Sequence, residues 1–473
     1  MAFARILRSS ALMGGAQVVT LGAGLLRAKL IAMLVGPAGV GLIGVLTSFN
    51  SNLSALVGWG LGTTAVRTIS ASDDSCRPSK VAAVLKFGRM LSWIGLICVL
   101  LFFWPVGLLT FKSSEYALEL LLAGLAVPCL IATSMWSALL QSHGQVKSLA
   151  RVQIISGLGG LVLGLPLIWF FGLLGIAASV LLAAIVPAVV TWQAIRPYSQ
   201  VSADSASETD IRVLVQLGAA LMAVGVLSQL SAYVVRLILI RSHGLEAAGY
   251  YQAAFAIAGS LPGFVFTAMG TDFFPLIARV KTEAEAQELC EKQIQAGLLL
   301  ALPLIAGLLT LGEFCIHVLY ARSFDPAIPL LSWMIWGVFL RVLSWPMGYW
   351  LLARGSSRTV VIVESVANIL AALLPLILVP IYGVTGAAVG FFVGYIAYTA
   401  IILIVSRKRS GRWLNMATLG WFFLAAAALG ISQVVVARLE GAYWGLIPTG
   451  AISVVCAWAY LHSVRRESCS TQI

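Results

Sequence analysis

Four basic residues lie inside long apolar segments, where a membrane protein tolerates charge least: Arg27, Lys29, Arg236 and Arg341. A charge at bilayer depth costs roughly 2.5–3.5 kcal/mol on insertion scales, so such residues usually face a watery cavity or a partner. Arginine suits phosphate oxygens because its guanidinium presents a planar fork of donors. The four side chains therefore predict a cavity that receives an anion, and together they could hold a diphosphate.

Their positions leave one alternative open. Arg27 and Lys29 fall in the outer half of the first predicted span, and Arg236 takes nearly the equivalent place in the seventh. These side chains could instead snorkel to the outer headgroups, with their apolar stems along the helix. Arg341 lies mid-way along the tenth predicted span, which is too deep for that interpretation.

The elements that position these residues are membrane helices. The chain has 473 residues, of which 60% are hydrophobic and 10% charged, and its mean hydropathy is +0.98. Soluble domains do not have this composition, and an apolar run of about 20 residues spans a bilayer as a helix. We predict an all-α polytopic membrane protein with about 14 spans, near 10–34, 41–65, 87–110, 117–140, 152–171, 173–195, 213–240, 250–276, 294–320, 327–352, 359–381, 384–405, 414–437 and 442–463.

Basic residues are distributed unevenly between the two sides of this arrangement. With the N-terminus inside, 22 of the 30 Lys and Arg residues fall on the cytoplasmic side and 4 on the outer side. Such an excess follows the positive-inside rule and predicts that both termini are cytoplasmic. The net charge of +12 is thereby explained by topology, so we do not expect nucleic acid as a partner.

The chain repeats itself with a shift of about 210 residues. GPAGVG at 36–41 recurs as GLEAAG at 244–249, with a shift of 208. The later pairs are 108–121 with 318–331, 139–147 with 351–358, and 171–178 with 382–389, at shifts of 210, 211 and 211. Each unit holds six spans, an even number, so the repeats should be parallel and related by an axis along the membrane normal.

This duplication predicts the domain organisation. We expect an N-terminal six-helix bundle at 1–195, a cytoplasmic linker at 196–212, and a C-terminal six-helix bundle at 213–406. An extra helix pair and a cytoplasmic tail would follow at 407–473. The polar segment 279–292 should form a helical cytoplasmic loop, most simply a solvated connector.

Motifs for catalysis are missing from the sequence. No G-x-x-x-x-G-K-[ST] pattern is present, and no paired-carboxylate or His-rich pattern suggests a hydrolase. The 7 cysteines are scattered without metal-ligand spacing. We therefore expect no enzyme, no catalytic residue, no cofactor and no metal site.

Acidic, amide and aromatic residues accompany the cations. Asp272, Glu313 and Glu364 lie within or at the ends of spans, and either carry a coupling proton or Na⁺ or form static ion pairs and caps. Amides and aromatic faces suit sugars, although membrane aromatics mostly form interfacial belts. The candidate glycan contacts are Asn50, Gln229, Tyr233, Trp345 and Asn368.

Several of these segments resemble one family. LLRAKLIAMLVGPAGVGLIG at 25–44, AMGTDFFPLIARV at 268–280, LYARSFDPAIPLLSW at 319–333 and LRVLSWPMGYWLLARGSSRT at 340–359 are similar to the polysaccharide flippase family. This family belongs to the multidrug/oligosaccharidyl-lipid/polysaccharide exporter superfamily. The resemblance covers nearly the whole chain.

The resemblance implies a function. A member of this family would flip a polyprenyl-diphosphate-linked oligosaccharide, such as an O-antigen or enterobacterial-common-antigen unit, from the cytoplasmic to the periplasmic leaflet of the bacterial inner membrane. Alternating access of two bundles around a cleft would move it, with a monomer as the working unit and glycan polymerase or assembly proteins as candidate partners.

The family pattern also assigns residues. Arg27 and Lys29 match its first-helix basic residue, and Arg341 matches its cavity base. The family often has Pro-Arg after the aromatics of the eighth span, whereas this chain has Pro275-Leu276. Because this chain has leucine where the family often has that arginine, no role of the family's arginine is assigned here.

Two other functions fit parts of the pattern. An ion-coupled multidrug or cation antiporter of the same fold should carry acidic residues in its cavity, and the excess of buried cations argues against it. A structural scaffold in a glycan assembly complex would not need the buried charges.

Overall fold

The computed structural model describes residues 2–73, 75–198, 207–280, 282–355 and 357–438, with residues 448, 450–452 and 454–455 beyond them. The described chain is helical, and its α-helices are α1 Ala2–Val57, α2 Leu61–Ser70, α3 Arg77–Phe111, α4 Ala117–Gly124, α5 Ala126–Ser142, α6 Val146–Val162, α7 Gly164–Ile195, α8 Glu208–His243, α9 Leu245–Arg279, α10 Glu283–Thr310, α11 Gly312–Leu319, α12 Ala327–Arg354, α13 Ser357–Tyr382, α14 Thr385–Ser410 and α15 Met416–Arg438. Short 3-10 turns occur at Arg196–Tyr198 and Arg322–Phe324.

Within the described residues, ten helices are long and apolar enough to cross a membrane. The predicted all-α polytopic class is therefore confirmed. The figure of fourteen spans stays a prediction, and most of the last predicted span, 442–463, lies outside the described residues.

Two predicted spans are joined in α1, which changes direction at Gly36. Gly36 has φ 70° and ψ −163°, and Gly244, its equivalent in the repeat, has φ 85° and ψ 179°. Only glycine adopts this region without a steric penalty, because it lacks a Cβ atom. The first residue of each GPAGVG-like motif therefore makes the same turn in both copies.

The chain forms two compact units, Met1–Gly249 and Tyr250–Ile473. This boundary lies one helix beyond the predicted linker at 196–212, because α8 packs against α1, α2 and α3. The Trp59 Nε1 donates to the Val215 carbonyl at 2.9 Å, and Ser79 Oγ donates to Asp210 at 2.7 Å. The six-plus-six organisation, with domains at 1–195, 213–406 and 407–473, stays a prediction.

Each unit is built around one central helix. In the N-terminal unit, α1 packs against α6, α7 and α8, while α5 packs against α3 and α7. In the C-terminal unit, α12 packs against α10 and α14, and α13 packs against α14. These two central helices carry Arg27 and Arg341, respectively.

The polar segment 279–292, which the sequence predicted to be a helical loop in solvent, is not separate from the next span. Within it, α10 starts at Glu283 behind a capping box of Thr282 and Glu285 and continues into the span. Gln287 is 0% exposed and its Nε2 donates to the Trp413 carbonyl at 2.8 Å. Because the connection between α14 and α15 covers this face, polar residues here pair with backbone instead of water.

Candidate functional site

Arg27 is the best-defined cation of the N-terminal unit. Its Nη2 donates to Ser179 Oγ on α7 at 3.0 Å, and Ser179 is itself fully buried. Gly160 and Gly164 lie beside the guanidinium, and a Cβ atom on either would be in ordinary van der Waals contact with it, at 3.7 and 3.9 Å. The Arg27 Nε is buried and has no hydrogen-bond partner among the described residues. One edge of the guanidinium is therefore anchored, and the group retains donors for another acceptor.

Arg236 is more enclosed than Arg27. The residue is 7% exposed, and its Nη1 donates to the Ala232 carbonyl one turn earlier on α8 at 2.7 Å. Snorkelling requires a charged end in contact with water or headgroups. The burial of Arg236 argues against that alternative. Lys29, two residues beyond Arg27 on α1, is half-buried.

Arg341 lies on α12 in the C-terminal unit, against an aromatic wall. Its guanidinium carbon lies 5.1 Å from the centroid of the Phe266 ring, within the range of a cation–π contact. Trp345, one turn along α12 and 9% exposed, packs against Phe266 and Phe273 at centroid distances of 5.7 and 6.1 Å. Trp345, a candidate glycan contact, is therefore part of the wall that holds Arg341.

A carboxylate lies in the same unit. Tyr398 Oη on α14 donates to Glu364 Oε1 on α13 at 3.2 Å, and Tyr398 lies within electrostatic range of Arg341. Asn368 donates its Nδ2 to the Glu364 backbone carbonyl at 2.8 Å. Glu364 forms no ion pair with a residue that the structure describes. Helices α12, α13 and α14 of this unit thus carry a cation, a carboxyl group and a phenol, respectively.

The other two predicted acids are placed differently. Glu313 is exposed in the first turn of α11, on a different element from Glu364. Asp272 belongs to α9, and its side chain lies outside the described residues. The structure therefore does not bring Glu313 and Glu364 onto one element.

Two candidate glycan residues take part in helix packing. Asn50 is 3% exposed and donates its Nδ2 to the Ala123 carbonyl at 2.9 Å. The hydroxyls of Tyr233 on α8 and Thr110 on α3 lie 2.6 Å apart. Gln229, in contrast, lines a cavity in the N-terminal unit with a volume of about 410 Å³.

Comparison with known proteins decides the family. The model described as polysaccharide biosynthesis protein matches residues 6–281, more than half of the chain. The chain belongs to the polysaccharide biosynthesis protein family. This membership confirms the resemblance seen in the sequence.

Relatives of this family member include curated transporters. The chain is 22% identical over 416 residues to the Lipid III flippase of Escherichia coli (strain K12), covering 83% of this chain and 97% of that protein. It is 22% identical over 380 residues to the Putative O-antigen transporter of Shigella flexneri, covering 76% and 88%. Its fold is similar to that of the solved Lipid II flippase MurJ in its inward closed conformation, with a TM-score of 0.75, 15% identity, and coverage of 97% and 99%.

The polysaccharide biosynthesis match includes the three N-terminal cations and ends before Arg341. The sequence did not indicate Ser179 and Phe266 as partners of the cations, or Tyr398 as the partner of Glu364. A single serine, phenylalanine or tyrosine in an apolar span carries no signal of its own, because packing and interfacial positions use the same residue types. Only the placement of these residues beside a charge distinguishes them.

Proposed function

We propose that this protein is a flippase for a polyprenyl-diphosphate-linked oligosaccharide of the O-antigen or enterobacterial-common-antigen type. It moves the headgroup from the cytoplasmic to the periplasmic leaflet of the bacterial inner membrane by alternating access. The family membership and the names of the relatives support transport of this class in preference to catalysis.

The observation that carries the proposal is the anchored guanidinium of Arg27. Ser179 Oγ accepts from one Nη, and the buried Nε has no hydrogen-bond partner among the described residues. Arginine has five N–H donors and cannot lose its charge in a protein. A doubly charged diphosphate is the acceptor that best uses several such donors at once, and Lys29 and Arg236 add positive charge in the same unit.

The charge distribution favours this substrate over a cationic drug. Arg341 adds a cation in the C-terminal unit, and the carboxyl group of Glu364 in the same unit is bonded to a phenol. A site for organic cations would need an anionic surface, since a cavity lined by like charges repels its ligand. The antiporter alternative is therefore the weaker interpretation of the charges.

Glu364 is our candidate for coupling transport to a proton or Na⁺ gradient. It is half-buried in α13 and its side chain contacts Tyr398 instead of a basic residue. A membrane carboxyl group without an ion partner can gain and lose a cation as its surroundings change. Asp272 and Glu313 remain secondary candidates.

The remaining features of the proposal concern the protein in its membrane. Both termini are cytoplasmic by the positive-inside rule, and one chain is the working unit because it already contains both repeats. Glycan polymerase and assembly proteins are its candidate partners.

The test is the sidedness of polyprenyl-diphosphate glycan in cells depleted of the protein. A membrane-impermeant glycosidase added to spheroplasts reports the share of the glycan that faces the periplasm. The proposal predicts a protected, cytoplasm-facing pool that grows as surface glycan is lost. An unchanged distribution, with normal surface glycan, would reject it.

A further inference from the structure

The N-terminal unit contains a cavity away from Arg27. Four helices line this open cavity: the last turns of α1, together with α2, α5 and α8. Its volume of about 410 Å³ lies within the roughly 300–1,000 Å³ range of small-molecule sites. Since one water occupies about 30 Å³, the space is far larger than an isolated buried water requires.

The cavity forms where a membrane helix is interrupted. α1 ends at Val57 and α2 begins at Leu61, and between them Trp59 and Gly60 have φ of 54° and 60°. The Trp59 indole bonded to Val215 holds this break against α8. Interrupted helices in membrane proteins usually border a cavity, because the freed backbone groups need polar surroundings.

The lining mixes polar and apolar residues and carries no charge. Ser51, Thr63, Ser134 and Gln229 line the space beside leucine, isoleucine and methionine residues. No lining residue is Asp, Glu, Lys, Arg or His. The Ser54 Oγ is buried and has no hydrogen-bond partner among the described residues.

These properties select one ligand class. An anion would need cationic donors, and an organic cation would need carboxylates, neither of which lines the cavity. A purely apolar group would remove water from the serine, threonine and glutamine residues of the lining without replacing its hydrogen bonds. Sugar rings combine several hydroxyl groups with apolar C–H faces, and this is the pattern of the lining.

We propose that this cavity binds one or two neutral sugar rings of the lipid-linked glycan, apart from the diphosphate. The proposal rests on the proposed function, because it assigns the sugars of that substrate to a place in the fold. Gln229 thereby keeps the glycan-contacting role predicted from the sequence, while Asn50 and Tyr233 stabilise the helices around it.

Two substitutions test the cavity without disturbing its walls. Gln229→Ala removes a lining amide and keeps the backbone carbonyl that accepts from Asn52 Nδ2 at 3.0 Å, so the helix packing should be unaffected. Gly225 lines the cavity on α8, and a Cβ atom there would meet no atom within 4 Å. Gly225→Leu therefore adds a side chain to the lining without a steric clash at its Cβ atom. Gly307→Leu is the matched control, since a Cβ atom on Gly307 in α10 would also meet no atom within 4 Å and Gly307 lies outside the lining.

The measurement is binding of two probes to the purified protein in nanodiscs: a polyprenyl diphosphate with a neutral trisaccharide and the same lipid without sugar. We expect the wild type to bind the trisaccharide lipid at least tenfold more tightly. Gln229→Ala should weaken only that lipid, by about three- to tenfold, the size of one hydrogen bond. Gly225→Leu should reduce its affinity to that of the sugarless lipid, and Gly307→Leu should change neither.

Wild-type affinity for the trisaccharide lipid, retained in both cavity variants, would overturn the inference. Equal binding of the two lipids by the wild type would also overturn it, while leaving the diphosphate part of the proposed function intact. Binding of neither lipid by the wild type would reject the proposed function together with the inference.

Discussion

Gly41 and Gly249 each lie against a backbone carbonyl of the other copy of the repeated motif. A Cβ atom on Gly41 would overlap the Leu245 carbonyl oxygen, and one on Gly249 would overlap the Pro37 carbonyl oxygen. Both pairs of positions differ by the 208-residue shift of the repeat. The two copies of the motif thus meet through equivalent backbone atoms, which supports an internal duplication more strongly than the sequence matches alone.

We predict that Gly41→Ala and Gly249→Ala each destabilise the protein by about 1–3 kcal/mol, the usual cost of forcing an extra carbon into a packed contact. Loss of thermal stability in detergent is the measurement. Gly259→Ala is the control, because a Cβ atom on Gly259 meets nothing within 4 Å and alanine favours helix. Equal stability of all three variants would show that the close approach is not required.

Ser179 should act through Arg27. Ser179→Ala removes the acceptor at 3.0 Å from the guanidinium, and a hydrogen bond to a charged group is worth about 1.5–3 kcal/mol. We predict that transport falls about tenfold in Ser179→Ala and further in Arg27→Ala, and that the double variant matches Arg27→Ala. Initial flipping rates in proteoliposomes give these values. Additive losses in the double variant would mean that the two residues act separately.

Arg341 requires its guanidinium and not only its charge. Arg341→Ala should abolish transport, and Arg341→Lys should restore it only in part, since an ammonium is a point charge without a planar fork. Phe266→Leu should cost up to about 2 kcal/mol of the cation–π contact. Arg241→Ala is the matched control, since Arg241 is exposed on α8. Full glycan export by Arg341→Ala at normal protein levels would remove Arg341 from the site.

Glu364 should determine the response to an ion gradient. In proteoliposomes, Glu364→Gln should flip the lipid at a rate independent of an imposed proton or Na⁺ gradient, whereas the wild type should respond to one of them. Tyr398→Phe, which removes the hydroxyl donor at 3.2 Å, should weaken that response without abolishing it. A wild-type gradient response retained in Glu364→Gln would assign coupling elsewhere.

The sequence predicted the helical class and the first-helix turn because both depend on local features. Long apolar runs specify membrane helices, and Gly36 and Gly244 mark turns that only glycine makes readily. The boundary of the compact units was less predictable. It follows from bonds between distant residues, such as Trp59 with Val215, which no local pattern encodes.

The role of the buried charges stays a prediction, and the sequence did not indicate the residues that contact them. Arg27 and Arg341 stand out because charge is rare in apolar spans, while Ser179 and Phe266 do not. The roles of Asn50 and Tyr233 were also hidden, since an amide or phenol that binds sugar and one that joins two helices look identical in sequence. The cavity beside Gln229 draws on three separated stretches of the chain, so only the fold reveals it.

The most direct test is flipping of a lipid-linked oligosaccharide by the purified protein in proteoliposomes, scored as access of an impermeant glycosidase to lipid that began in the inner leaflet. We predict that the wild type exposes this pool, and that Arg27→Ala and Arg341→Ala leave it protected although both reconstitute equally well. A wild type that leaves the pool protected, or an Arg27→Ala, Arg341→Ala double variant that exposes it at the wild-type rate, would contradict the account.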